Sequence, residues 1–281
     1  MQTLIRTPFL AFVTLCLLAL QLQSQPARAA NLERLEAFLE VTGFDVALES
    51  IRLSADTAPR MLGMRADDFG SEWSRLVQEV FDTEVMHDMA IDILGRALED
   101  HLLTHAADFY ASDLGQRLVM AENESHMMVD DALKTESGEA IVAGLVRIGS
   151  PRVGLLRKLN DASGSEDSAI RAIQEVQVRF LMAAAAAGVI ELQMDEPDLR
   201  EALRSQEPDL RTSIKANALA NAAYTYQAFS DDEVAAYAEA LEHPKMQKVY
   251  ELMNAVQYEI MANRFERVAQ RLSDMQPSQD L

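Results

Sequence analysis

The chain has 281 residues, 49% of them apolar and 25% charged, with a formal net charge of −20. An acidic surface of this kind repels phosphate backbones and anionic headgroups, which argues against nucleic acid and membrane surfaces as partners. The single cysteine is Cys16, so everything after it is without disulfides, thiol nucleophiles or thiolate metal ligands.

The first thirty residues read as a secretory signal. Arg6 supplies the positive start, residues 9–20 an apolar stretch too short to span a bilayer, and Ala27-Arg28-Ala29 an A-x-A cleavage site. The expected cut follows Ala29, and loss of Arg6 and Arg28 takes the charge from −20 to −22. Leu15 stands before Cys16, where a lipoprotein needs a small residue. No later run approaches the roughly 20 apolar residues of a spanning helix. The expectation is a periplasmic protein with no stable membrane insertion after cleavage, its core large enough for one domain or two.

Almost every later stretch has helical periodicity, with scarce glycine and proline and plentiful alanine, leucine, glutamate and methionine. Asn31 is placed to cap a helix through Leu35, Phe38 and Leu39, and residues 44–53 continue it or form a second. From Asp67 or Asp68 one long helix is expected, carrying Phe69, Trp73, Leu76, Val77 and Val80, its stripe drifting through Phe81, Val85 and Met89 to Ile93 and Leu94. A helix ending near Tyr110 and another over residues 114–128 follow. Gly138, Gly144, Gly149-Ser150-Pro151 and Gly154 are expected to interrupt the middle, and Ser163-Gly164-Ser165-Glu166-Asp167 reads as a linker.

Beyond the linker, residues 170–188 end in a run of alanines whose small side chains allow close helix approach. Pro197 and Pro208 each mark the start of a short helix, Ser230 caps residues 231–242, and Pro244 opens a long final helix with Val249, Met253, Val256, Ile260, Val268 and Leu272 on one face. Setting Gln116 against Gln247 also aligns Asp100 with Asp231 and Ala107 with Ala238, the mark of an internal duplication. The expected fold is therefore all-α, a helical bundle of two related halves. Its organisation reads as a signal peptide at 1–29, a first half at 30–137, a connecting segment at 138–167 and a second half at 168–281.

The stretch ADFYASDLGQRL, residues 106–117, reads as a helix-to-helix corner. Leu98, Leu102, Leu103, Ala106, Phe109 and Tyr110 form the buried face of the first helix. Ser112 is a suitable N-cap for the second, Asp113 suits its positive dipole end, and Gly115 lets the two helices approach closely. Pro244 occupies the position equivalent to Asp113 in the second half.

At these residues the chain resembles the secreted proteobacterial proteins grouped as domain-of-unknown-function family 2059. Their signature is roughly a phenylalanine-tyrosine pair, a Ser-Pro corner and a Gly-Gln-Lys helix start. Phe109-Tyr110-Ala111-Ser112-Asp113-Leu114-Gly115-Gln116-Arg117 matches it, with Asp113 in place of proline and Arg117 in place of lysine. The likeness covers residues 32–128, and the second half is a degenerate copy that keeps Pro244, Gln247 and Lys248. It implies an exported helical protein and transfers no functional residue.

Several constellations have residue types suited to chemistry. Ser112, Gly115 and Arg117 at a helix start suit a small anion. His101 and His105, one turn apart, suit a metal, but without the glutamate of a zinc-protease helix they belong more simply to a solvated face. Glu84 and His87 have the spacing of carboxylate di-iron bundles, with no second copy. Met61, Met64, Met86, Met89, Met127 and Met128 lie largely on apolar stripes, where methionine is core filler and not a copper(I) ligand. Asn123-Glu124-Ser125 is a formal glycosylation triplet inside an expected helix. Residues 138–159 form the one locally basic, apolar region, suited to a membrane or partner contact but more simply a packed connection. No nucleophile elbow or phosphate loop occurs. The sequence nominates no catalytic residue, metal ligand or cofactor. It points to a protein that binds another protein in envelope maintenance, with carriage of a small apolar ligand between helices as the alternative.

Overall fold

A computed structural model describes residues 24–128, 130–164 and 166–275. The signal features at Arg6, residues 9–20 and Cys16 lie outside the described residues. Among the described residues the secondary structure is helical throughout: α1 (Ser24–Val41), α2 (Phe44–Leu53), α3 (Thr57–Met61), α4 (Ser71–Val80), α5 (Thr83–Ala97), α6 (Asp100–Tyr110), α7 (Asp113–His126), α8 (Asp131–Arg147), α9 (Arg152–Ser163), α10 (Glu166–Ala186), α11 (Glu196–Ser205), α12 (Glu207–Thr225), α13 (Asp231–Glu242) and α14 (Pro244–Leu272). No helix among them is long and apolar enough to cross a membrane.

The long final helix is the spine. Pro244 sits at its first position, and the His243 ring accepts a hydrogen bond from Lys245 N at 3.2 Å. Its buried residues Met246, Val249, Val256, Ile260, Phe265, Val268 and Leu272 repeat at helical spacing. α14 lies against α10 along much of its length and also touches α3, α4, α5, α6, α9 and α13. Phe265 is central, edge-on to Phe81 at 5.7 Å and to Phe180 at 6.2 Å. Burial of one such ring is worth roughly 2–3 kcal/mol. Most of the buried side chains from Leu35 to Leu272 join in one continuous core.

Several boundaries differ from expectation for local reasons. α1 already includes Ser24, so Asn31 lies inside the helix and caps nothing, and the expected cut after Ala29 falls within α1. The long helix expected from Asp67 is broken: Ala66–Phe69 is a 3-10 turn, and α4 and α5 are separate. Asp82 makes the second break by accepting a hydrogen bond from Val85 N at 3.0 Å, the geometry of an N-cap. The drifting stripe marked this break, because Met86, Ala90 and Leu94 are buried on α5 while Val85 is exposed. Gly138 and Gly144 do not interrupt the chain. α8 runs through both, and Gly154 lies inside α9. Gly138 instead meets α12: a Cβ there would stand 2.6 Å from the Ala220 carbonyl carbon and closer still to its oxygen. The connecting segment thus consists of the end of α8 and all of α9. Of the expected linker, Ser163 closes α9, Glu166 opens α10, and Ser165 lies outside the described residues.

Candidate functional site

The corner between α6 and α7 has the geometry that its sequence implies. Ser112 Oγ accepts from Gly115 N at 3.1 Å and donates to Phe109 O at 2.6 Å. Asp113 takes the first helical position. A Cβ on Gly115 would lie 2.7 Å from Tyr110 Cα and closer still to Phe109 O, so only glycine permits this approach. Arg117 turns toward α13. Its guanidinium pairs with Glu233 on α13 and lies over the Phe229 ring, 5.4 Å from the centroid. Glu233 in turn forms a capping box with Ser230, and the Arg117 guanidinium with that cap pulls its carboxyl down to about 2.

Beneath the corner lies a polar cluster that no local motif announces. Tyr226 and Tyr237 both donate to Glu122 Oε1, at 2.7 and 2.9 Å. Tyr250 is 2.8 Å from the Tyr237 hydroxyl, and Tyr110 hydrogen-bonds to Tyr250. Four of the six tyrosines of the chain thus converge on one carboxylate. Phe109 stacks flat on the Tyr237 ring with centroids 5.7 Å apart, so both aromatics of the corner motif serve this cluster. Glu122 is half-buried, with its carboxyl turned to the two tyrosine hydroxyls. Burial pushes that carboxyl above the usual carboxylate range, and the two tyrosine hydroxyls oppose the shift in part. Burial and the nearby carboxyl push all four phenols up, so they act as neutral hydrogen-bond donors. The network ties α6 and α7 to the end of α12 and to α13 and α14, and Tyr110 and Tyr237 are closed to solvent. As chemistry, this is a clamp with a buried titratable group.

The same segment decides the relationship to known proteins. Residues 84–143 match DUF2059, the family described as Uncharacterized protein conserved in bacteria. The DUF2059 segment comprises almost all of α5, the α6–α7 corner and α8 as far as Ala143. Its overlap with the likeness read from sequence is residues 84–128, so residues 32–83 fall outside the match. No curated protein and no solved structure matches the chain.

The other constellations in and around the DUF2059 segment are dispersed. His101 is exposed and sits 3.3 Å from Glu99, whereas His105 is half-buried and stacks on His243 at 4.2 Å. The two histidines therefore do not share a solvated face. His87 bonds Asp45 at 2.6 Å, and Glu84 points to solvent. Among the described residues no three His, Asp or Glu side chains converge as a metal requires. Met86 is fully buried, Met61, Met64 and Met89 pack on the core, and Met120 and Met127 are exposed. Trp73 is buried and donates to Asp56 at 2.6 Å. Asn123 faces Gly43, where a Cβ would collide with its amide, and is thus occupied in packing.

In the basic stretch, Arg152 is nearly covered. It pairs with Asp231 at 2.5 Å and donates to Tyr226 O at 2.6 Å and Phe229 O at 2.8 Å, so it fastens α9 to the α12–α13 turn. Lys158 pairs with Glu242 at 3.0 Å. The alanine run of α10 floors an open groove of about 480 Å³, walled by Glu175, Arg179, Glu196, Arg200 and Glu266. Each arginine there is held between two glutamates, Arg179 by Glu259 and Glu266 and Arg200 by Glu175 and Glu196.

Proposed function

We propose that this is an exported protein of the cell envelope that acts by binding another protein and not by catalysis. The observation that carries the reading is the pair of exposed apolar side chains where α8 ends. Val146 and Ile148, at the end of α8 and on the corner after it, are 59% and 74% exposed over a closed core. An apolar group of this kind on an otherwise acidic surface marks a contact region. The export half of the reading rests on the tripartite sequence at 1–29. Carriage of an apolar ligand has less support, because the α10 groove is open and lined with ion pairs, whereas carrier sites are enclosed and mostly apolar. Two related halves are part of the same proposal. It draws on the shared register in which α6 and α13 start at Asp100 and Asp231, and α7 and α14 at Asp113 and Pro244.

The test is complementation. Cells lacking the gene and challenged with detergent are expected to recover with the wild-type chain but not with Val146→Asp/Ile148→Asp, both chains being present at equal level in the periplasmic fraction. Full recovery with the double variant, or absence of the chain from that fraction, overturns the reading.

A further inference from the structure

α8 turns one face inward and leaves the opposite one bare. Gly138, Ile141, Val142 and Leu145 face the protein, whereas Leu133, Glu136, Ala140, Ala143 and Arg147 are all exposed. Their spacing of three and four residues makes one straight seam along the helix. Two small side chains occupy its middle, so a second helix can approach closely there. The charges at its ends are of opposite sign and have no ion-pair partner among the described residues. The corner beyond the seam is rigid. Gly149, with φ of 64°, donates to Val146 O at 3.0 Å, and Ser150 N donates to Leu145 O at 2.9 Å, the closed double bond of a Schellman turn. Ile148 is thereby held outward.

We infer that this seam pairs with the same seam of a second copy of the chain, antiparallel across a two-fold axis passing between positions 141 and 142. In that register Ala140 meets Ala143 of the partner subunit, and Glu136 meets Arg147 of the partner subunit, each contact occurring twice. Leu133 comes to the partner's corner, beside Ile148 of the partner subunit. A two-fold interface must be self-complementary, and this one is so in charge, size and apolarity at once. A parallel pairing instead sets Glu136 on Glu136 and Arg147 on Arg147. The 17-residue helix is roughly 25 Å long. One such pair is at the small end of specific interfaces, so the dimer is expected to dissociate in the micromolar range.

The inference rests on the interaction reading above and names its partner. Sedimentation velocity on the full chain, across a concentration series reaching well above that range, tests it. The wild type is expected to move from monomer to dimer. Arg147→Glu is expected to weaken the dimer at least about tenfold, since it sets like charges opposite at both ends. Glu136→Arg/Arg147→Glu restores complementarity and is expected to recover most of the loss. These side chains are exposed, and unchanged melting curves verify that each variant folds. A wild type that stays monomeric throughout, or a double variant no better than Arg147→Glu, overturns the pairing. A monomeric chain whose Val146→Asp/Ile148→Asp variant still fails to complement refutes the dimer alone, and the binding function stands with a different partner.

Discussion

Gly115 and Gly144 both lie inside α-helices at ordinary dihedrals, so replacement of either by alanine carries the same backbone benefit, about 1 kcal/mol. They differ only in what the new methyl meets. At Gly144 no atom lies within 4 Å, and Gly144→Ala is expected to stabilise by that amount. At Gly115 the methyl would stand 2.7 Å from Tyr110 Cα, where about 3.5–4 Å is comfortable, and both close neighbours are backbone. No rotamer relieves it, so α6 and α7 must separate by roughly 1 Å, which lifts Phe109 off Tyr237 and strains the tyrosine network. Overpacking of this kind costs about 1–3 kcal/mol and sometimes more. With the propensity gain subtracted and the network strain added, Gly115→Ala should be about 2 kcal/mol less stable than wild type. Urea unfolding followed by circular dichroism reads this as a midpoint near 1 M lower, with an unchanged slope. Equal midpoint shifts for Gly115→Ala and Gly144→Ala would refute the claim that close approach is why glycine stands at the corner.

Other outcomes follow from the polar contacts. Glu122 has its folded value raised above 4.5, so its contribution is present below that pH and declines as pH rises through the folded value. Glu122→Gln should therefore be near wild type at pH 4 and gain on it as pH climbs, and a stability difference that ignores pH would count against the buried carboxyl. His105 has its value lowered from 6.5 by burial, His243 and Lys245, with Asp108 opposing. Its contribution is full above 6.5 and is lost as pH falls through the folded value, a slope that His105→Phe should flatten. Arg152→Ala strands Asp231 and two carbonyls and should cost about 2 kcal/mol in urea unfolding; a loss below 0.5 kcal/mol would restore Arg152 as a free surface cation.

The sequence was most readable where caps and prolines punctuate it. Ser112, Ser230, Pro197, Pro208 and Pro244 announce starts through local backbone and cap geometry that needs no distant partner, although the helix at Pro208 runs to 19 residues and is not the short one expected. It misled where a glycine serves packing between helices, as Gly138 does against Ala220, because nothing in the neighbouring residues distinguishes that use from a break. The Glu122 cluster was not legible as a cluster. Its members stand at 110, 122, 226, 237 and 250, each an ordinary residue in its own helix, and only tertiary packing brings them together. A weak trace exists in retrospect: the tyrosine of the corner motif is at a fully buried helical position, where its hydroxyl must find a partner.

The place of α14 in the core has a consequence for how the chain reaches its native state. The helix that α4, α5, α6 and α10 all close upon comes after all of them in the chain. Until residues 244–272 have emerged, Phe81 and Phe180 lack Phe265, and Tyr110 lacks Tyr250. A nascent chain can form helices early yet cannot complete its interior, and contacts of such long sequence separation slow the final step. Folding is thus deferred until residues 244–272 have been made, and a chain cut before Pro244 would leave those apolar faces open to aggregation or to chaperones.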